Sequence, residues 1–205
     1  MLDTRVRPLL DPLLNAIAST LARAGLGANA VTAGGALVAV AAVVAIAQAQ
    51  WALAFALVLG NRILDGVDGA LARRTGASDF GGYLDIVADY VFYAGVPLGF
   101  ALADPAANAL PAAALLASFC LTASSFLAFA AIAEKRAMQS TDYGEKSFFY
   151  STGLIEGTET VLILLLMTAR PSWFAMLAWI TTFLCVVTAF QRLLMARHAF
   201  DRSPP

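Results

Sequence analysis

Charge is scarce in this chain. Only 13% of its 205 residues are Asp, Glu, Lys or Arg, against 60% hydrophobic. A water-soluble domain carries about 25% charged and roughly 45–50% apolar residues, so lipid is the expected solvent. Histidine and cysteine are nearly absent, at one His and two Cys. That leaves no set of imidazole or thiolate ligands for zinc or an iron–sulfur cluster. Cys120 and Cys185 both fall inside apolar runs and read as small buried hydrophobes, with no disulfide between them. A net charge of −1 provides no basic footprint, and no nucleic-acid partner is expected. Residues 1–25 lack a continuous apolar core, so no cleaved signal peptide is expected either.

What the chain has in quantity is long apolar runs. A helix needs about 20 such residues to cross the hydrocarbon core. Runs of that order lie at roughly 30–49, 51–71, 81–103, 109–133, 148–168 and 172–195. Before them, Val6, Leu9, Leu10, Leu13, Leu14, Ile17 and Leu21 recur at helical spacing, with Arg7, Asp11, Asn15, Thr20 and Arg23 on the other side. Residues 6–24 therefore read as an amphipathic helix lying in the membrane interface, with a plain anchor as the alternative. Pro8 and Pro12 place its regular part from near Leu13 onward. The expected fold is a single all-α integral membrane domain over residues 1–205, six transmembrane helices preceded by an N-terminal interfacial amphipathic helix. With six spans, all thirteen Lys and Arg except Arg170 lie on the side of the two termini. The positive-inside rule makes that side cytoplasmic.

The acids are not scattered. Asp65 and Asp68 stand three apart near the cytoplasmic end of the second run; Asp85 and Asp89 stand four apart near the start of the third. Each pair shares one helix face. Asp65 and Asp68 precede Arg73 by eight and five residues, about 12 and 8 Å of helical rise, and the other pair follows the loop by similar distances. Four carboxylates should thus meet at one depth, just inside the cytoplasmic face. An acid within a membrane costs at least ~2.5–3.5 kcal/mol, so four together without a role are improbable, and packing or snorkelling is the weaker reading. Unpaired, they would repel or take up protons. Divalent cations would relieve this, and oxygen ligands alone favour Mg²⁺ or a similar ion over zinc. Two ions about 3.5–4 Å apart would suit phosphoryl chemistry.

The stretch reads Asp65-x2-Asp68-Gly69-x2-Ala72-Arg73, then Gly81-x3-Asp85-x3-Asp89. This closely resembles the signature of the CDP-alcohol phosphotransferase (CDP-alcohol phosphatidyltransferase) family. Seven residues separate Arg73 from Gly81, where the family pattern often has eight. The resemblance implies a reaction in which a phosphatidyl group passes from CDP-diacylglycerol to an alcohol hydroxyl and CMP is released. It implies two Mg²⁺ ions per site, with Mn²⁺ as the alternative, held by Asp65, Asp68, Asp85 and Asp89. Asp89 would also be the catalytic base. For the CDP-lipid it implies Asn29, Ala30, Val31 and Thr32 at the first span, Gly69 beneath the cytidine, Arg73 on the diphosphate, and Ser78 in the loop, with Asp79 in its place if the shorter spacer shifts the register. Asn29 or Thr32 has the alternative task of capping the first span. A homodimer in the inner membrane of a bacterium, with the active site on the cytoplasmic side, is expected on the same ground.

The alcohol is less legible. Relatives using a phosphorylated acceptor such as inositol phosphate place basic residues on spans four to six. Here the stretch 125–130 is apolar, and 153–160 carries Glu156 and Glu159. Of that basic set only Arg192 remains. The acceptor, a small or lipid alcohol, is therefore expected not to be inositol phosphate. Glu156 and Glu159 either bind a hydroxylated or cationic acceptor or pair with Lys146 and Arg192. Two other classes are weaker. A UbiA-like prenyltransferase would lack the Gly-x2-Ala-Arg continuation, and a membrane cation transporter would distribute its acids through the membrane depth.

Overall fold

A computed structural model describes residues 3–136, 153–155 and 157–201, with the backbone alone for 3–8. Among the described residues it is all-helical: α1 (Asp3–Arg23), α2 (Ala28–Ala47), α3 (Trp51–Thr75), α4 (Asp79–Ala103), α5 (Pro105–Lys135), α6 (Gly157–Ala169) and α7 (Phe174–Phe200), with a single 3-10 turn at Pro171–Trp173. Four segments are long and apolar enough to cross a membrane: Ala28–Ala47, Asp79–Ala103, Pro105–Lys135 and Pro171–Phe200. Helix α3 has the length, but Arg62, Asp65 and Asp68 interrupt its apolar character. Helix α6 accounts for only part of the run at 148–168, whose first residues, like Lys146 and Glu156, lie outside the described residues.

Large side chains point outward around the bundle, among them Leu37, Leu98, Leu110, Phe183 and Phe190. In water they would form an apolar surface far larger than monomeric proteins tolerate. Cys185 is buried, whereas Cys120 is exposed. The reading of both as buried is thus corrected for Cys120, which sits on an outer face where lipid replaces protein as the apolar surroundings.

The core is assembled by close helix crossings. Helix α2 packs against α3 and α4, α4 against α5, and α5 against α7. Gly95 and Gly99, one turn apart on α4, meet α2 where a side chain would collide with Val43 and Ile46. At one end of the bundle Trp51, Phe100 and Phe174 stack in sequence, with ring centroids 5.6 and 4.2 Å apart, tying α3, α4 and α7 together. A Cβ on Gly99 would lie 3.0 Å from the Val43 carbonyl oxygen, a backbone atom that cannot swing aside. Gly99→Leu should therefore destabilise the fold by about 1–3 kcal/mol or more, the range for overpacking. Thermal unfolding in detergent checks this, and an unchanged melting temperature would refute the close-crossing argument.

Helix α1 begins at Asp3, earlier than its two prolines suggested. The amides missing at Pro8 and Pro12 would have bonded the carbonyls of Thr4 and Pro8, so the pair removes two rungs, both near the start of the helix. Its apolar face divides. Leu14, Ile17 and Leu21 pack with Ala18 against Val67, Ala70 and Leu71 of α3, and Leu14 lies over Gly66. Leu9, Leu10 and Leu13 stay 79, 47 and 59% exposed.

Candidate active site

The short turn between α3 and α4 sets the two acidic faces opposite each other. Gly76, at φ +102°, ends α3; this backbone conformation suits a residue without a side chain. Ser78 then caps α4, its hydroxyl accepting from the Gly81 amide at 3.1 Å. On the other side Asn61 is buried and donates from Nδ2 to the Gly35 carbonyl of α2 at 2.9 Å. This bond between neighbouring helices fixes α2 beside the same stretch of α3.

A cleft of about 200 Å³ lies between α2, α3 and α4, lined by Thr32, Asn61, Arg62, Asp65, Asp68 and Asp89. Asp68 is only 5% exposed, with the Thr32 hydroxyl in hydrogen-bonding reach. Asp65 and Asp89 approach each other across the cleft. Asp85, one turn nearer the loop, is exposed at the mouth, where it feels the charge of Asp89. The four carboxylates sensed in the sequence therefore share one neighbourhood. Their oxygens are not drawn onto a single point: among the described residues no three His, Cys, Asp or Glu side chains converge as a ligand set. One reason is visible. Arg62 Nη1 stands between two of them, 3.0 Å from Asp89 Oδ1 and 3.7 Å from Asp65 Oδ2.

The residues expected at the CDP-lipid are partly gathered here. Asn29 reaches the start of α4, where a Cβ on Gly81 would lie 2.9 Å from Asn29 Oδ1 and 3.0 Å from Ser78 Oγ. Neither Asn29 nor Thr32 caps α2, whose N-cap is Gly27 with no side-chain bond; Thr32 donates back to the Ala28 carbonyl. Ala30 is exposed, while Val31 is buried against α1 and α3, so its side chain faces the core and not the cleft. A Cβ on Gly69 would meet only the Arg73 guanidinium, at 3.5 Å. The backbone of α3 is bare there, with an exposed cation one turn on.

A second pocket of about 690 Å³ opens between α4, α5, α6 and α7. Tyr90, Tyr93, Phe119 and Phe126 line it together with Thr122, Thr160 and Arg192. Arg192 Nη1 donates to the Thr122 carbonyl at 3.1 Å. Glu159 is half-buried in the first turn of α6 but is not among the lining residues. Residues 153–155 are held to α7 by the Leu154 and Ile155 amides, which donate to Thr188 Oγ1 at 3.1 and 3.3 Å. Sequence reasoning missed the parts played by Asn61, Arg62, Tyr90 and Tyr93. A signal existed for Arg62 alone: an arginine inside an apolar run, three residues before an aspartate.

The chain is 46% identical to the inner membrane protein YnjF of Escherichia coli strain K12 over 193 residues, 94% of each chain. It is 36% identical over 100 residues, 48% of this chain and 53% of the relative, to an archaetidylinositol phosphate synthase of Pyrococcus horikoshii. The phosphatidylinositol phosphate synthase PgsA1 of Mycobacterium tuberculosis shares the fold at 24% identity. Its complex with manganese and citrate superposes with a TM-score of 0.72 over 93% of both chains. Its structure with CDP-DAG bound superposes at 0.67, over 95% of this chain and 100% of that one. The sequence pattern of the CDP-alcohol phosphatidyltransferases matches residues 26–191, and the chain belongs to that family of membrane enzymes, which transfer phosphatidyl groups in phospholipid synthesis.

Proposed function

We propose that the chain transfers the phosphatidyl group of CDP-diacylglycerol to the hydroxyl of an alcohol, releasing CMP, at the carboxylate cleft between α2, α3 and α4. The observation that carries this reading is the meeting of Asp65, Asp68 and Asp89 in one cleft, with Asp85 at its mouth and the bare Gly69–Arg73 surface beside it. Four carboxylates and no nitrogen or sulfur ligand fit hard divalent cations. Asp65, Asp68, Asp85 and Asp89 would hold two Mg²⁺, or Mn²⁺ in their place. Bound there, the ions supply charge stabilisation for the diphosphate.

The protein's own groups do the rest. Arg73 grips the diphosphate with a planar fork, and Gly69 lets the cytidine lie against α3. Asn29, Ala30, Thr32 and Ser78 border the same surface. Val31 supports it from the core. Asp89 accepts the proton of the acceptor hydroxyl, whose oxygen bonds to the phosphorus carrying the diacylglycerol. The bond from that phosphorus to the bridging oxygen breaks, and CMP leaves with the electron pair. Arg73→Ala should raise the KM for CDP-diacylglycerol about tenfold or more, as loss of a charged hydrogen-bonding partner does. Steady-state kinetics against the acceptor and the donor separately would expose the opposite case, an unchanged donor KM.

The acceptor enters from the second pocket, next to Tyr93 and Asp89. Arg192 is the charged member of that lining, beside Tyr90, Tyr93, Phe119 and Phe126. The acceptor is thus a small or lipid alcohol other than inositol phosphate. Glu159 in the first turn of α6 and Glu156, outside the described residues, take part either by binding the acceptor's hydroxyls or by pairing with Lys146 and Arg192. Micromolar binding of inositol phosphate would overturn this part. In the membrane, residues 1–205 form one domain. Helix α3 and the run at 148–168 join the four apolar segments as spans, α1 lies in the interface, and both termini face the cytoplasm. A homodimer completes the assembly.

The test is CMP release from CDP-diacylglycerol by purified protein with Mg²⁺ or Mn²⁺ and a panel of alcohols. Release with one acceptor, dependent on the ion, is expected. No release with any acceptor or ion would refute the reaction.

A further inference from the structure

Arg62 is held more firmly than a charge of its kind inside an apolar helix needs to be. Its side chain is 10% exposed. Nε and Nη2 donate to Asn61 Oδ1 at 2.9 and 2.6 Å, and Asn61 is itself tied to α2. The guanidinium lies 3.9 Å from the centroid of the Phe92 ring, which is fully buried, and 5.6 Å from that of Tyr93. That leaves Nη1 aimed at Asp89 and Asp65. Arg62 lies one turn further from the loop than Asp65, so it forms the floor of the cleft on the side away from the cytoplasm. A mobile arm would not be braced on two sides; a fixed charge would.

Resting on the reading of the four carboxylates as a metal site, we propose that Arg62 is the permanent counter-cation of that site and the positioning residue of Asp89. It balances Asp65 and Asp89 whenever divalent ions are absent, as between turnovers. It also holds Oδ1 of Asp89 from beneath, which leaves the other oxygen for the acceptor proton. A counter-charge and a mere support for the ligands predict opposite changes in metal affinity. A side chain that merely orients ligands lowers metal affinity when removed, commonly 10–100-fold. A resident positive charge opposes the incoming cation, so its removal raises metal affinity.

Purified full-length protein in detergent is titrated with MnCl2 or MgCl2 alone, and the melting temperature is followed without substrate. R62Q should melt lower than the wild type in the absence of metal and reach half of its metal-induced stabilisation at roughly tenfold lower ion concentration. R62K keeps the charge and loses the fork. It should keep the wild-type half-point while kcat for CMP release falls about tenfold at unchanged KM for CDP-diacylglycerol. The same half-point in R62Q and the wild type, or a higher one in R62Q, would overturn the proposal. Should R62Q fail to fold, R62K decides alone: a displaced half-point or an unchanged kcat would count against it. Stabilisation of neither wild type nor variants by either ion would instead overturn the metal site itself, and this proposal with it.

Discussion

Asp89→Asn should lower CMP release by about 10³-fold, within the 10²–10⁴ range for loss of a general base, while the protein stays folded. The fold survives because the amide oxygen of Asn can still accept from Arg62 Nη1, which now donates to Asp89 Oδ1 at 3.0 Å. Chemistry fails because an amide takes no proton from the acceptor and ligates a divalent ion poorly. The loss should appear in kcat with the KM for CDP-diacylglycerol little changed, since Asp89 lies across the cleft from the Gly69–Arg73 surface. Activity within tenfold of the wild type would move the base elsewhere.

Asp68→Asn should separate activity from stability in a way no ordinary core substitution does. Asp68 is 5% exposed, and its carboxylate feels Asp85 and Asp89. Without metal, one buried charge among several of the same sign is a destabilising element. Its neutral isostere should raise metal-free stability by about 1 kcal/mol, a typical size for a substitution that removes such a feature, because Thr32 still offers it a partner. Activity should fall at least about 10²-fold, as removal of metal-ligating or supporting groups does. The stabilisation expected of the wild type with Mn²⁺ should disappear with it. The result opposite to this, a variant less stable without metal and unaltered in its response to it, would make Asp68 a packing residue.

Much of this enzyme could be read from its residues in order. Composition and run length pointed to lipid, and the elements among the described residues are helical, with four segments long and apolar enough to cross a membrane. The spacing of Asp65, Asp68, Asp85 and Asp89 was legible because a helix turns by a fixed angle per residue, so three or four positions mean one face. That argument reaches along one helix and, through a short turn, to the helix that follows it, so the common depth of the four acids was legible too. Which other helices and side chains stand beside them depends on contacts between segments far apart in the chain.

The tertiary structure alone decided those matters. It turned Val31 toward α1 and away from the cleft, and Cys120 out of the bundle, because a helix face has no direction until its neighbours are placed. It brought Arg62 of α3 over Phe92 of α4 and under Asp89, thirty and twenty-seven residues away. It also formed a pocket for Arg192 from Tyr90, Tyr93 and Phe126, drawn from two other helices. The sequence by itself determined the solvent, the helices and the chemistry of their faces, since these follow from local periodicity and transfer free energy. The packing of those faces determined which carboxylate has a cation beside it, because charges act through space and not along the chain.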